Sequence, residues 1–261
     1  MLELDNIYYS AGEKEILNGI SAHFMPGHFS IIIGPNGSGK STLLKIASGE
    51  LNPKKGEVRY DNQKISPAKL HETAKIRAIL AQQSELNFPL TVAEIVGMGR
   101  YPHYKSKPSK KDIEIISNAL KELGLSTFKD RNYLTLSGGE KQRVHYGRVL
   151  AQLWHKETDR IRYLLLDEPV SFLDLNYQHE FLNRSKQLAK KGDVVVAVLH
   201  DISLAALYAD SIFVLQNGKL IAEGSPVDII TTDLIFDLYG VSCIIVKTPG
   251  NKLSITVPDN Q

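Results

Sequence analysis

Residues 31–45, IIIGPNGSGKSTLLK, decide the fold. Three isoleucines end in a loop with glycine at 34, 37 and 39, and the loop runs into Lys40, Ser41 and Thr42 before apolar residues resume at Leu43 and Leu44. The stretch Gly34–Ser41 fits G-x-x-x-x-G-K-[ST] after a β-branched strand and before a helix, the context in which that pattern has meaning. Glycines let several backbone N–H groups converge on one anion, and a helix starting near Lys40 adds its positive dipole end. Gly34, Pro35, Asn36, Gly37, Ser38, Gly39, Lys40, Ser41 and Thr42 are therefore expected to hold the phosphates of a nucleoside triphosphate. Lys40 is placed to bridge the β and γ phosphates, and Ser41 to offer its hydroxyl to Mg²⁺.

Working outward, the chain before the loop reads as short strands, LELDNIYYS and ILNGISAHFMPGHFSIIIGP, with turns at Gly12 and at Pro26-Gly27. After it, STLLKIASGEL has helical spacing, PKKGEVRYDNQKI reads as a turn and hairpin strand, and IRAILAQQ as a further strand. From about residue 88 to 150 apolar residues recur at three- and four-residue steps, in TVAEIVGMGRY, SKKDIEIISNALKELGL and the stretch after Ser137. Lys, Ser and Pro at 105–111 read as the loop between two of these helices. Beyond 160 strands and helices alternate again: YLLLD, a helix at 176–191, DVVVAVLH, a helix at 202–208, a hairpin in SIFVLQNGKLIAEG and a last helix near 226–239. Strands alternating with helices predict an α/β core with a parallel sheet. The expected division is one domain over 1–261, with 1–87 and 151–261 as core and 88–150 as an inserted helical subdomain.

The 261 residues are 43% hydrophobic and 23% charged, an ordinary globular composition. A formal charge of +2 supplies no basic field for nucleic acid. A single cysteine, Cys243, allows no internal disulfide and fits a reducing compartment. The N-terminus lacks the features of a signal peptide, and no apolar run is long enough to span a bilayer. A soluble, cytosolic chain is expected, unless a partner holds it at a membrane.

Two further stretches carry chemistry. In YLLLDEP, residues 163–169, a buried strand delivers Asp167 to the mouth of the sheet, where it can hold Mg²⁺. Glu168, pointing elsewhere, can polarise the water that attacks the γ-phosphate. In TLSGGEKQRVHYGRVLA, residues 135–151, Ser137 is a helix N-cap and Glu140 completes a capping box. Gly138 and Gly139 expose backbone N–H groups at that helix start. Two phosphate-binding helix starts with one Mg²⁺ strand predict that two chains share each nucleotide.

With these residues in hand the chain resembles the ATP-binding cassette (ABC) ATPases over essentially its full length. The loop at 34–42, Gln82, LSGGE, LLLDEP, SFLD and LHD stand in that family's order. The resemblance implies an α/β P-loop ATPase with a mixed sheet core, an N-terminal antiparallel β subdomain and the inserted helical subdomain, using ATP and Mg²⁺. It implies that Tyr9, or its neighbour Tyr8, stacks on adenine. Gln82, with Gln83 as the alternative register, would contact Mg²⁺ and the attacking water and couple core to subdomain. Ser137, Gly138, Gly139 and Glu140 would face the γ-phosphate held by the opposite protomer, Asp174 would sit at the dimer seam, and His200 would hydrogen-bond the γ-phosphate. Val170 and Phe172 depart from the family's usual wording. A separate membrane permease in two copies, reached indirectly by a periplasmic or surface binding protein, and a place on the inner face of the cell membrane follow from the same resemblance. The absence of a fused membrane domain leans towards import. LNFPLTVAEIVGMGRYPH, residues 86–103, resembles the ATPases of importers for iron chelates, haem and cobalamin; LNFP and the polar insertion before residue 163 resemble most the haem-importer branch, with ferric siderophore or cobalamin importers as the alternative. A soluble ABC ATPase acting on nucleic acid or the ribosome, and a small-molecule kinase, are disfavoured by a single cassette and by LSGGE respectively.

Overall fold

In a computed structural model, residues 1–65, 70–81, 86–154, 160–248, 250 and 252–258 are described. The chain opens with β1 (Leu2–Ala11) and β2 (Lys14–Phe24), joined at Gly12, whose φ of +61° suits glycine. Then come β3 (Phe29–Ile33), α1 (Lys40–Ser48), β4 (Lys55–Tyr60), β5 (Gln63–Lys64), α2 (Leu70–Ala74) and β6 (Arg77–Leu80). Three helices follow without an intervening named strand: α3 (Val92–Met98), α4 (Lys110–Glu122) and α5 (Gly138–Gln152). Each begins in a capping box, Thr91/Glu94, Ser109/Asp112 and Ser137/Glu140, which satisfies the amides of the N-cap and of the residue three further on. The 105–111 loop is shorter than expected, because Ser109 caps α4 and Lys110 is already helical. The chain ends with β7 (Tyr163–Asp167), α6 (Leu175–Lys190), β8 (Val194–Val198), α7 (Ile202–Tyr208), β9 (Ser211–Gln216), β10 (Lys219–Gly224), α8 (Pro226–Ile229), α9 (Thr232–Tyr239), β11 (Ile244–Thr248) and β12 (Lys252–Thr256).

Six strands form the central sheet in the order β10-β9-β3-β8-β7-β6. β9, β3, β8, β7 and β6 are parallel, and β10 is antiparallel to β9, so the sheet is mixed. A second, antiparallel sheet has the order β2-β1-β4-β5. The central strands are apolar without alternation because both faces are covered. Ile31, Ile33, Leu164, Leu166, Val195 and Ala197 point into the core shared with the helices. Ile32, Tyr163, Leu165, Val194, Val196 and Val198 point into a second core closed by α1 and the antiparallel sheet. The loop after β3 therefore emerges at the carboxyl edge of a parallel sheet, where open α/β sheets bind ligands.

Two details depart from the sequence reading. The helix expected near 226–239 is two helices, broken at Ile230 and Thr231, where the Thr231 side chain accepts from Leu234 N and caps the second. The hairpin β11–β12 was not foreseen, although CIIVK and KLSIT flank a Pro-Gly turn signal. No helix among the described residues is long and apolar enough to cross a membrane.

Candidate nucleotide site

The loop of residues 34–39 depends on three left-handed glycines, with φ of +148° at Gly34, +78° at Gly37 and +101° at Gly39. Gly34 is also a matter of space, since a Cβ there would lie 2.0 Å from the Leu215 carbonyl oxygen of β9. Gly39, the N-cap of α1, would bring a Cβ to 2.6 Å from Leu17 Cδ2. No side chain caps α1 and no acid sits in its first turn, so its leading N–H groups face outward with the dipole unopposed. The β9–β10 turn supports the loop from behind, as Gly218 N donates to Ser38 O at 3.2 Å.

Lys40 is buried, and its ammonium folds back to donate to the Gly34 and Pro35 carbonyls at 2.8 and 2.9 Å. Burial pulls its pKa below the ordinary lysine value, against the opposing charges of Glu168 and Asp167. Ser41 Oγ donates to Asp167 Oδ1 at 3.0 Å. Asp167, 4% exposed at the end of β7, has its carboxyl pushed up by burial, with the Ser41 hydrogen bond working the other way. A hydroxyl and a carboxylate oxygen side by side are the hard donors that Mg²⁺ takes, so this pair fits the ion.

Glu168 leaves the strand with φ +49°, a sparsely populated conformation for a residue with a side chain. The turn separates the two acids: Asp167 faces Ser41, while Glu168 Oε1 pairs with His200 Nε2 just beyond β8. Backbone strain of this kind costs of order 1–3 kcal/mol and collects at functional sites. The next residue is tied to the helical segment, as Gln142 Nε2 of α5 donates to Pro169 O at 2.9 Å.

A cavity of about 280 Å³ opens over the loop. Asn36, Gly37, Gly39, Lys40, Ser41 and Thr42 line it together with Glu168 and His200. Lys14, Glu15 and Ile16 complete the lining. Those three were not anticipated from sequence; the only signal was their place directly after the Gly12 turn. Neither tyrosine considered for adenine stacking lines the cavity: Tyr9 is half-buried against the second core, and the Tyr8 ring lies under Lys55, 5.8 Å from its ammonium. Gln82 and Gln83 fall outside the described residues.

The second helix start expected to meet phosphate is elsewhere. Ser137 N donates to Glu140 Oε2 at 2.7 Å, which holds that carboxyl below its usual range. Ser137 and Gly138 are exposed, and a Cβ on Gly138 would meet nothing within 4 Å. None of residues 137–140 lines the cavity over Lys40. Asp174 caps α6 by accepting from Tyr177 N at 3.1 Å, between Phe172 and Leu175, which are 62% and 69% exposed.

A family model described as ABC transporter matches residues 17–171, from β2 past the Asp167–Glu168 turn. The chain is 39% identical over 258 residues to a hemin import ATP-binding protein, HmuV, of Gloeobacter violaceus, covering 99% of this chain and 94% of the relative. It is 37% identical over 261 residues to the protein of the same name from Escherichia coli O157:H7, covering all of both. Among solved structures, a metal-chelate type ABC transporter in an inward-facing conformation superposes with a TM-score of 0.79 over 97% of this chain and 95% of that one, a likeness of fold at 24% identity. A dimeric bacterial ABC transporter cassette matches with a TM-score of 0.75 and 29% identity over 87% of this chain and 99% of that one. A loop built for triphosphate, a strand-end pair of acids and a separate LSGGE helix thus stand within one matched segment, and the chain belongs to the ABC transporter family, as one of its ATP-binding, ATP-hydrolysing members.

Proposed function

We propose that this chain is the ATPase subunit of an importer for haem, acting as a homodimer on the cytoplasmic face of the cell membrane beneath two copies of a separate permease. The observation that carries the dimer is geometric. One chain holds a cradle for triphosphate and, apart from it, a helix start whose Ser137 and Gly138 are exposed. Two copies related by a two-fold axis would bring each helix start to the other's nucleotide. Exposed Phe172 and Leu175 beside Asp174 offer apolar surface for that seam. The cargo rests on whole-length likeness to hemin import proteins. A binding protein would deliver haem to the permease and would not touch this chain.

In this reading residues 88–150 form the subdomain that meets the permease, and 1–87 with 151–261 the core. The loop amides and Lys40 bind the phosphates, Lys40 exchanging the Gly34 and Pro35 carbonyls for phosphate oxygens. Ser41 and Asp167 would hold Mg²⁺, with Gln82 assigned to the same ion by its place in the motif order, and the bound ion would supply neutralisation of phosphate charge. Glu168 takes a proton from the attacking water. His200 orients Glu168 and hydrogen-bonds the γ-phosphate. Lys14, Glu15 and Ile16, which line the cavity, would meet the base, while Tyr9 is assigned to it by the family resemblance alone. Phosphoryl transfer requires mainly positioning and charge neutralisation, which these groups supply.

Ser137→Arg is expected to leave ATP binding to the single chain intact and to abolish the ATP-dependent dimer. Sedimentation with and without ATP measures it, and a normal dimer in that variant would sink the shared site. The cargo is tested by uptake of labelled haemin into cells lacking this chain. Wild type should restore it and Glu168→Gln should not. Restoration of ferric siderophore or cobalamin uptake instead would reassign the cargo and leave the ATPase reading standing.

A further inference from the structure

The GRYPH stretch, residues 99–103, is split in two by the fold. Tyr101 is exposed, whereas Arg100 is 2% exposed and turned inward. Arg100 Nε donates to Asp112 Oδ1 at 2.9 Å, and its Nη1 to the Ala151 carbonyl at 2.8 Å. His103 Nε2 meets the Gln152 carbonyl at 2.9 Å, so that nitrogen carries the proton. Ala151 and Gln152 are the last residues of α5, whose final carbonyls have no partner within the helix. The stretch therefore closes the rear end of the helix that begins at LSGGE. Gly99 permits the approach, since a Cβ there would lie 2.0 Å from the Arg148 carbonyl oxygen.

The Gln152 side chain continues the connection. Its Nε2 donates twice, to Ala74 O at 2.7 Å and to Arg77 O at 2.8 Å. Arg77 begins β6, the strand leading toward residue 82, and its Nη1 hydrogen-bonds the carbonyl of Ser48, the last residue of α1. The two helices whose front ends are the phosphate loop and LSGGE are thus joined at their rear ends, through Arg77 and Gln152. The apolar packing of α5 on α3 and α4 is non-directional, while these bonds fix an orientation. With 15 residues, α5 is about 22 Å long, so a swing of about 5° at Gln152 moves Ser137 by about 2 Å.

We propose that Gln152 is a positioning residue for the shared nucleotide site: its two hydrogen bonds, to the end of α2 and to the start of β6, set the angle at which α5 presents Ser137 and Gly138 to the nucleotide of the opposite protomer. This rests on the reading that two copies share each nucleotide. Gln152 acts on the closed dimer and not on the phosphate loop of its own chain.

The test uses Gln152→Met, which keeps the side chain's length and removes both donors, in two backgrounds of the full-length chain. In Glu168→Gln, sedimentation across an ATP titration reads dimer formation. In Ser137→Arg, nucleotide titration reads ATP binding to the single chain. The dimer midpoint is expected to move to about tenfold higher ATP, the weight of one or two net hydrogen bonds, with single-chain ATP affinity unchanged within about twofold. A midpoint shift below about twofold, or an equal loss of single-chain ATP affinity, would overturn the proposal. If Glu168→Gln forms no dimer before Gln152 is touched, the shared-site reading itself fails, and the role of Gln152 with it. His103→Leu, which removes the bond to the Gln152 carbonyl and leaves the Gln152 side chain in place, is the milder second variant should Gln152→Met fold poorly. It should move the midpoint the same way by about threefold, and no movement in that variant would count against the proposal.

Discussion

Glu168→Gln is expected to bind ATP, close into a stable dimer and hydrolyse about 10²–10⁴-fold more slowly than the native chain. The substitution keeps the side chain's shape and its capacity to hydrogen-bond His200, so the β7–β8 edge should be undisturbed. What is lost is the capacity of Glu168 to accept a proton. Asp167 is engaged with Ser41, and the positive φ at residue 168 turns the second carboxylate away from it toward the cavity. An amide cannot take the proton of the attacking water. Steady-state phosphate release and sedimentation with ATP measure the two halves of the prediction. Turnover near the native rate would remove Glu168 from the chemistry, and a loss of ATP binding would show that it shapes the cradle instead.

Lys40→Ala should lower ATP affinity by roughly 150-fold, the upper weight of a hydrogen bond to a charged group. Two effects add. The phosphates lose the one buried cation among the residues lining the cavity. The Gly34 and Pro35 carbonyls also lose the donor that holds them in the absence of nucleotide. Nucleotide titration reads the first effect, and thermal melting without nucleotide reads the second. ATP binding within about fivefold of native would mean that the loop amides and the α1 dipole suffice, and the lysine's assignment would fall.

Much of this site is local and so was legible. The spacing of Gly34, Gly39, Lys40 and Ser41 encodes a loop conformation whose function is carried by its own backbone, and the strand and helix around it appear where periodicity placed them. The same holds for the capping box at Ser137 and Glu140, a matter of residues three apart. The base end of the cavity was less legible. A tyrosine in a strand stacks on whatever the register brings it to, and shifts in pairing between Ile7, Tyr9 and Ser10 leave Tyr9 on the core and Lys14–Ile16 at the cavity. A one-residue change of register moves a side chain to the opposite face, and the pattern YYS does not fix which.

The sequence by itself determined the phosphate loop, the two acids after an apolar strand, the second helix start and the alternation of strands and helices in the core. Each is written in contiguous residues, through φ preferences, caps and apolar spacing. Only the tertiary structure decided why Gly34 admits no Cβ, since the obstacle is a carbonyl on β9. Only it turned Glu168 toward His200, split GRYPH into an exposed Tyr101 and a buried Arg100, and joined Gln152 to β6. Those partners lie far apart in the chain. A hydrogen bond between them depends on where two packed elements come to rest, and no local spacing records that distance.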